Sequence, residues 1–146
     1  ICRCGRRGCL EVYAGRRSMV SAAGIASSDA AATRESINEL IDHWRQRDSK
    51  AVAVVEKALE AMASVIASII NVCDIDTVML GGLWAHFEPD LIRRIGRMVR
   101  PQALSYPEVQ ARVMMADVVA RPALIGAAEV GLRNFVDNPL EFLERE

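Results

Sequence analysis

Three thiols lie within the first nine residues, in the run Cys2-Arg3-Cys4-Gly5-Arg6-Arg7-Gly8-Cys9-Leu10-Glu11. Two thiolates one residue apart and a third five residues on can wrap one tetrahedral zinc ion. Gly5 and Gly8 supply the positive-φ turns that such a wrap needs. Arg3, Arg6 and Arg7 favour the thiolate forms and offset the charge of a three-sulfur site. The set is one ligand short of four, and His43, His86 and Cys73 are the other soft or imidazole donors in the chain. The alternative is free surface thiols, or an oxidised pair. A redox role for Cys2 with Cys4 is disfavoured, because one intervening residue strains a disulfide. Clustered cysteines also argue against a secreted disulfide framework and for metal binding in a reducing, cytoplasmic setting.

Hydrophobic periodicity predicts the elements around this run. Cys9 to about Ala23 reads as a first helix, with Leu10, Tyr13 and Val20 sharing a face. The small residues from Gly24 to Ala32 read as a loop. Thr33 caps an amphipathic helix over residues 33–47, with Ile37, Leu40, Ile41 and Trp44 opposite Arg34, Glu35, Glu39 and Asp42. After Asp48 and Ser49, Val52, Val55, Leu59, Met62, Ile66 and Ile69 recur at spacings of three and four. Their face is too wide for a coiled-coil seam, so this is a long core helix.

Thr77 to Leu80 reads as a buried strand that runs into a turn at Gly81 and Gly82. Pro89 opens a helix with Leu91, Ile92, Ile95, Met98 and Val99 inward, and Pro101 stops it. Val109 to Val118 is the next strand candidate, and Pro122 opens a helix over residues 122–136. Helix, strand, helix, strand, helix is an α/β order with a crossover between parallel strands.

The chain has 146 residues, 16.0 kDa, 51% of them hydrophobic and 25% charged. A formal charge of −1 leaves no global field to attract nucleic acid or an anionic membrane. The apolar stretch Ala61 to Ile70 is far shorter than the roughly 20 residues of a bilayer span. Arg93, Arg94, Arg97 and Arg100 read as a solvated basic face, Cys73 as a small core residue, and His43 and His86 as structural or exposed. A first residue other than Met, and a sheet of about two strands, lead us to expect an incomplete domain.

The run Cys2 to Glu11 resembles the signature of the ROK family of bacterial sugar kinases and sugar-sensing repressors. Thr77-Val78-Met79-Leu80-Gly81-Gly82 resembles that family's second glycine motif, and Ala123-Leu124-Ile125-Gly126-Ala127-Ala128 its C-terminal helix. The resemblance implies the helix-rich C-terminal part of an actin-like ATPase fold with a partial parallel sheet. Residues 1–146 would be an incomplete C-terminal lobe, with a zinc and sugar motif at 1–11, a glycine-turn strand at 77–82 and a C-terminal helix at 122–136.

By the same resemblance, Cys2, Cys4 and Cys9 are zinc ligands, the fourth being a histidine that would precede Ile1. Glu11 would accept hydrogen bonds from sugar hydroxyls; the alternative is a carboxylate that merely favours a helix N-terminus. Gly81 and Gly82 would let the backbone approach the adenosine of ATP, or form a tight turn without ligand. Leu83 and Trp84 follow where a third small residue is usual in kinases. The family's catalytic aspartate and phosphate loop fall N-terminal to the cysteine motif. Leu83 favours the effector-sensing and dimerising part of a sugar-responsive transcriptional repressor. Its partners would be a sugar or sugar phosphate, a second copy of itself, and DNA only through a separate N-terminal domain. The alternative is the C-terminal part of an ATP-dependent sugar kinase.

Overall fold

The computed structural model describes residues 1–26, 32–108, 110–116 and 122–139. They fall in two units, Ile1–Ala116 and Asp117–Glu146. The first holds helices α1 (Leu10–Ala14), α2 (Arg16–Ala22), α3 (Arg34–Arg45) and α4 (Ser49–Cys73), strand β1 (Thr77–Leu80), helix α5 (Pro89–Val99) and strand β2 (Arg112–Met115). Short 3-10 turns cover Gly82–His86 and Arg100–Gln102. In the second unit, helix α6 runs Pro122–Asp137, opened by a proline whose missing N–H costs nothing at a first helical position.

Helix α4 is the spine of the first unit. Its N-cap is Asp48, whose carboxylate accepts from Lys50 N at 3.1 Å and Ala51 N at 2.9 Å. It ends at Asp74, which takes the left-handed conformation with φ 51°. Replacing Asp48 by alanine leaves two first-turn N–H groups without that acceptor, and is expected to cost about 1 kcal/mol of stability. A denaturant midpoint in Asp48→Ala equal to that of the parent would contradict this.

The buried side of α4 carries Val55, Ala58, Leu59, Met62, Ala63, Ile66, Ala67 and Ile70. Its alanines let neighbours approach closely. Ile37, Leu40 and Ile41 of α3 join the same core, as do Leu91, Ile92, Ile95 and Val99 of α5. Ile69, expected inside, is 43% exposed, whereas Ile70 is 4% exposed. At about 100° per residue Ala63, Ala67 and Ile70 fall on one flank of the stripe and Ile69 on the other. Ala51 and Ala58, on the flank of Ile69, are 0% exposed, so that flank is covered nearer the start of α4 and loses its cover by Ile69.

Strands β1 and β2 are parallel, in register from Thr77 opposite Arg112 to Leu80 opposite Met115. Asp76 O accepts from Arg112 N at 2.7 Å, and Leu80 O from Ala116 N at 2.9 Å, one bond beyond each end. Residue 109 and residues 117 and 118 of the expected second strand lie outside the described residues, as does the chain from residue 140 onward. Helix α5 is the crossover and packs on β2. Gly96 faces Val113 closely enough that an added Cβ would touch the valine at 3.8 Å.

Four expectations need correction. The single helix from Cys9 to Ala23 is two, broken at Gly15, which is extended with φ −75° and ψ 144°. Arg94 does not share an open face with Arg93, Arg97 and Arg100; it reaches α4 and holds Glu56 with two bonds of 2.6 Å. Cys73 is exposed, because it ends α4 where the chain turns away. The strand Thr77–Leu80 is not buried along its length, since Met79 is 57% exposed, whereas α5 does end at Val99, just ahead of Pro101, as expected.

Candidate functional site

The N-terminal loop brings its three thiols together. The Sγ atoms of Cys2, Cys4 and Cys9 all lie within 4.8 Å of one another, and Cys4 and Cys9 approach to 3.5 Å. Gly5 and Gly8 take φ of 82° and 77°, the left-handed turns the spacing requires. Cys2 N donates to Arg6 O at 2.8 Å and Gly5 N to Cys2 O at 2.9 Å, which closes the loop on itself. In a tetrahedral site with metal–sulfur bonds near 2.3 Å, sulfurs stand about 3.8 Å apart. The three thiols fit that spacing. Among the described residues no other His, Cys, Asp or Glu joins them, so His43, His86 and Cys73 supply no fourth ligand here.

The thiols differ in proton affinity. The backbone N–H of Arg6, with hydrogen bonds from Cys9 and Cys2, lowers the pKa of Cys4. Cys9 is pushed up to about 11, chiefly because its proton is held in the hydrogen bond to Cys4 and secondarily by burial. Cys4 therefore ionises before Cys9. A cation at this site must displace protons, so its hold weakens as pH falls.

Cys9 passes directly into α1, as Val12 N donates to Cys9 O at 3.0 Å. The thiol loop and Glu11, in the first turn of α1, are thereby directly connected. Glu11 lines a cleft of about 670 Å³ together with Cys2, Arg3, Arg17, Ser18 and Ser21. Its main chain is anchored: Glu11 O accepts from the Ser18 hydroxyl at 2.7 Å and from Gly15 N at 3.2 Å. Its carboxylate lies over the Cα of Gly15, in the space a side chain there would fill. Gly15 and Ser18 escape a reading based on motif residues. The available signal is a glycine in the middle of a helical pattern.

Gly81 and Gly82 lie apart from this cleft, whose lining includes neither. Gly82 has φ 61°, and an added Cβ would meet nothing within 4 Å among the described residues. Gly81 is extended, and among the described residues an added Cβ there would meet only Ala116 Cβ, at 3.8 Å. The next two side chains turn inward. Leu83 is 6% exposed and Trp84 7% exposed. Trp84 stacks on Phe87 at 5.7 Å between centroids, and Phe87 meets Trp44 edge-on at 5.6 Å. The bulk of Leu83 is thus spent on the core and leaves the glycine turn open.

No helix among the described residues is long and apolar enough to cross a membrane. The ROK family model matches residues 1–133. N-acetylmannosamine kinase of Haemophilus influenzae (strain PittEE) is 35% identical over 82 residues, covering 56% of this chain and 26% of that protein. N-acetyl-D-glucosamine kinase of Salmonella paratyphi A is 31% identical over 107 residues, 70% of this chain and 33% of that protein. The chain therefore spans between a quarter and a third of the length of these curated relatives. The ROK hexokinase from Thermus thermophilus superposes with a TM-score of 0.68 at 23% identity, over 91% of this chain and 44% of that one. That likeness gives the fold, the helix-rich part of an actin-like sugar-kinase architecture with two parallel strands. Thiol loop, glycine turn and most of the C-terminal helix lie within one matched stretch, and the chain belongs to the ROK family.

Proposed function

We propose that this chain is a C-terminal part of an ATP-dependent sugar kinase whose substrate is an N-acetylated hexosamine or a closely similar hexose. The observation that carries the reading is Glu11, anchored at its main chain beside the thiol loop and lining the cleft. A carboxylate accepts from two neighbouring hydroxyls at once, which suits it to a pyranose edge. Two kinases that act on N-acetylated hexosamines are similar to this chain. Leu83, which favoured a repressor, is buried and does not crowd the turn, so the reason to prefer a repressor falls away.

In this reading Cys2, Cys4 and Cys9 hold a structural zinc ion that stiffens the loop entering α1, and Glu11 orients the sugar. Gly82, with its open side, forms part of the surface that meets the nucleotide. The hydroxyl attacks the γ-phosphorus, the bond to the β-phosphate oxygen breaks, and the hydroxyl proton passes to a carboxylate base. That base and the phosphate loop come from segments outside residues 1–146. Residues 1–11, 77–82 and 122–136 then serve one lobe as sugar motif, nucleotide turn and C-terminal helix.

The test is phosphoryl transfer by the intact protein that carries this chain, with ATP and N-acetylmannosamine, N-acetylglucosamine or glucose. Turnover with at least one sugar is expected. Glu11→Gln keeps the shape but loses the charge-assisted bonds, and kcat/KM should fall roughly 10- to 100-fold. Absence of turnover with every sugar, together with sugar-dependent release from DNA, would replace the kinase with the repressor.

A further inference from the structure

We propose that Gly15 and Ser18 are positioning residues for the Glu11 carboxylate, and so set how tightly the cleft holds a sugar's neighbouring hydroxyls. This rests on the reading of Glu11 as a sugar contact.

Local sequence gives little reason for the helix to break here. Residues 10–22 contain no proline, and an isolated glycine usually weakens a helix without ending it. The helix nevertheless breaks at Gly15, in an extended conformation that any L-residue can adopt. Glycine is required at this position by proximity. An added Cβ would overlap Glu11 Oε1, Cδ and the carbonyl oxygen of the same residue, well inside van der Waals contact. The carboxylate rests on the Cα of Gly15, and only hydrogen on that carbon leaves room for it.

The other end of Glu11 is held as well. Its carbonyl accepts from the Ser18 hydroxyl at 2.7 Å and from Gly15 N at 3.2 Å. Ser18 lines the same cleft from the first turns of α2, so the break at Gly15 is what swings this hydroxyl back toward α1. Glu11 is thus held at its main chain by two donors, and its carboxylate occupies the space that a side chain at residue 15 would fill. A long, exposed acidic side chain normally samples many rotamers, and a ligand must freeze them on binding. Restricting them beforehand removes part of that cost and tightens binding.

The experiment is a double-mutant cycle in the intact protein that carries this chain, read as KM for N-acetylmannosamine, KM for ATP, kcat and bound zinc. Gly15→Ala is expected to raise KM for the sugar about 10-fold, and Ser18→Ala about 3-fold. Zinc content and KM for ATP should stay at the parental values. Combined with Glu11→Ala, which removes the group being positioned, neither substitution should weaken sugar binding further, because each acts only through the Glu11 side chain. Additive losses would overturn the proposal. So would parental sugar affinity in both single variants while Glu11→Gln is impaired. Parental affinity in Glu11→Gln itself would instead sink the sugar role of Glu11. Should Gly15→Ala fail to fold, the Ser18→Ala cycle decides alone, since losing one hydroxyl leaves the backbone room unchanged.

Discussion

Replacing Cys9 by serine is expected to take the intact protein that carries this chain from about one equivalent of tightly bound zinc to none. A serine hydroxyl does not ionise near neutral pH and is a poor partner for zinc, whereas a thiolate is a strong one. With the Sγ atoms of Cys2, Cys4 and Cys9 within 4.8 Å of one another, each is placed to be a ligand and none is a spare. Structural zinc contributes on the order of 10 kcal/mol to the folding of small metal-bound segments. The loop has little else: Cys2 N to Arg6 O and Gly5 N to Cys2 O are its closing bonds. The loss should therefore loosen residues 1–9 and, through Val12 N on Cys9 O, the start of α1 that carries Glu11. Metal analysis after chelator-free purification reads the first effect, and sugar KM reads the second. Retention of a full equivalent of zinc in Cys2→Ser, Cys4→Ser and Cys9→Ser alike would show that the thiols are not its ligands.

The second large effect is expected in the core. Leu59 is 0% exposed at the middle of α4, the helix that touches α1, α3 and α5. Leu59→Ala removes three buried carbons and leaves a cavity that helices fixed on several sides cannot close, for a cost of about 3 kcal/mol. That is a sizeable share of the 5–15 kcal/mol by which domains are usually stable. Ile69→Ala, ten residues further along the same helix, should cost well under 1 kcal/mol, since Ile69 is 43% exposed. Urea unfolding of the two variants separates them. Equal midpoints would mean that burial does not distinguish these positions in solution.

Leu59 and Ile69 also mark the limit of what periodicity conveys. Both fit the spacing of threes and fours, which defines a helix and the general side it buries. How far along the helix that side stays covered depends on where the neighbouring elements lie. Arg94 shows the same limit for charge. Its place in a basic run reads as a solvated face, but the angle at which α5 crosses α4 delivers it to Glu56. Leu83 shows it for function: a bulky residue after two glycines reads as an obstruction, until the 3-10 turn points it into the core.

Sequence by itself determined the elements whose causes are local. Thr33 and Asp48 cap α3 and α4 through bonds to N–H groups within three residues. Pro89 opens α5, and the thiol spacing with Gly5 and Gly8 already contains the loop that gathers the three thiols. Each involves partners a few residues apart, so the chain order alone brings them together. Tertiary structure decided the pairing of Thr77 with Arg112 and the reach of Arg94 to Glu56. It also decided the close fit of the Glu11 carboxylate against Gly15, which no propensity contains, because it follows from the extended break between α1 and α2 and the space left there. Such contacts depend on directions in space, and packing of the whole core sets those directions.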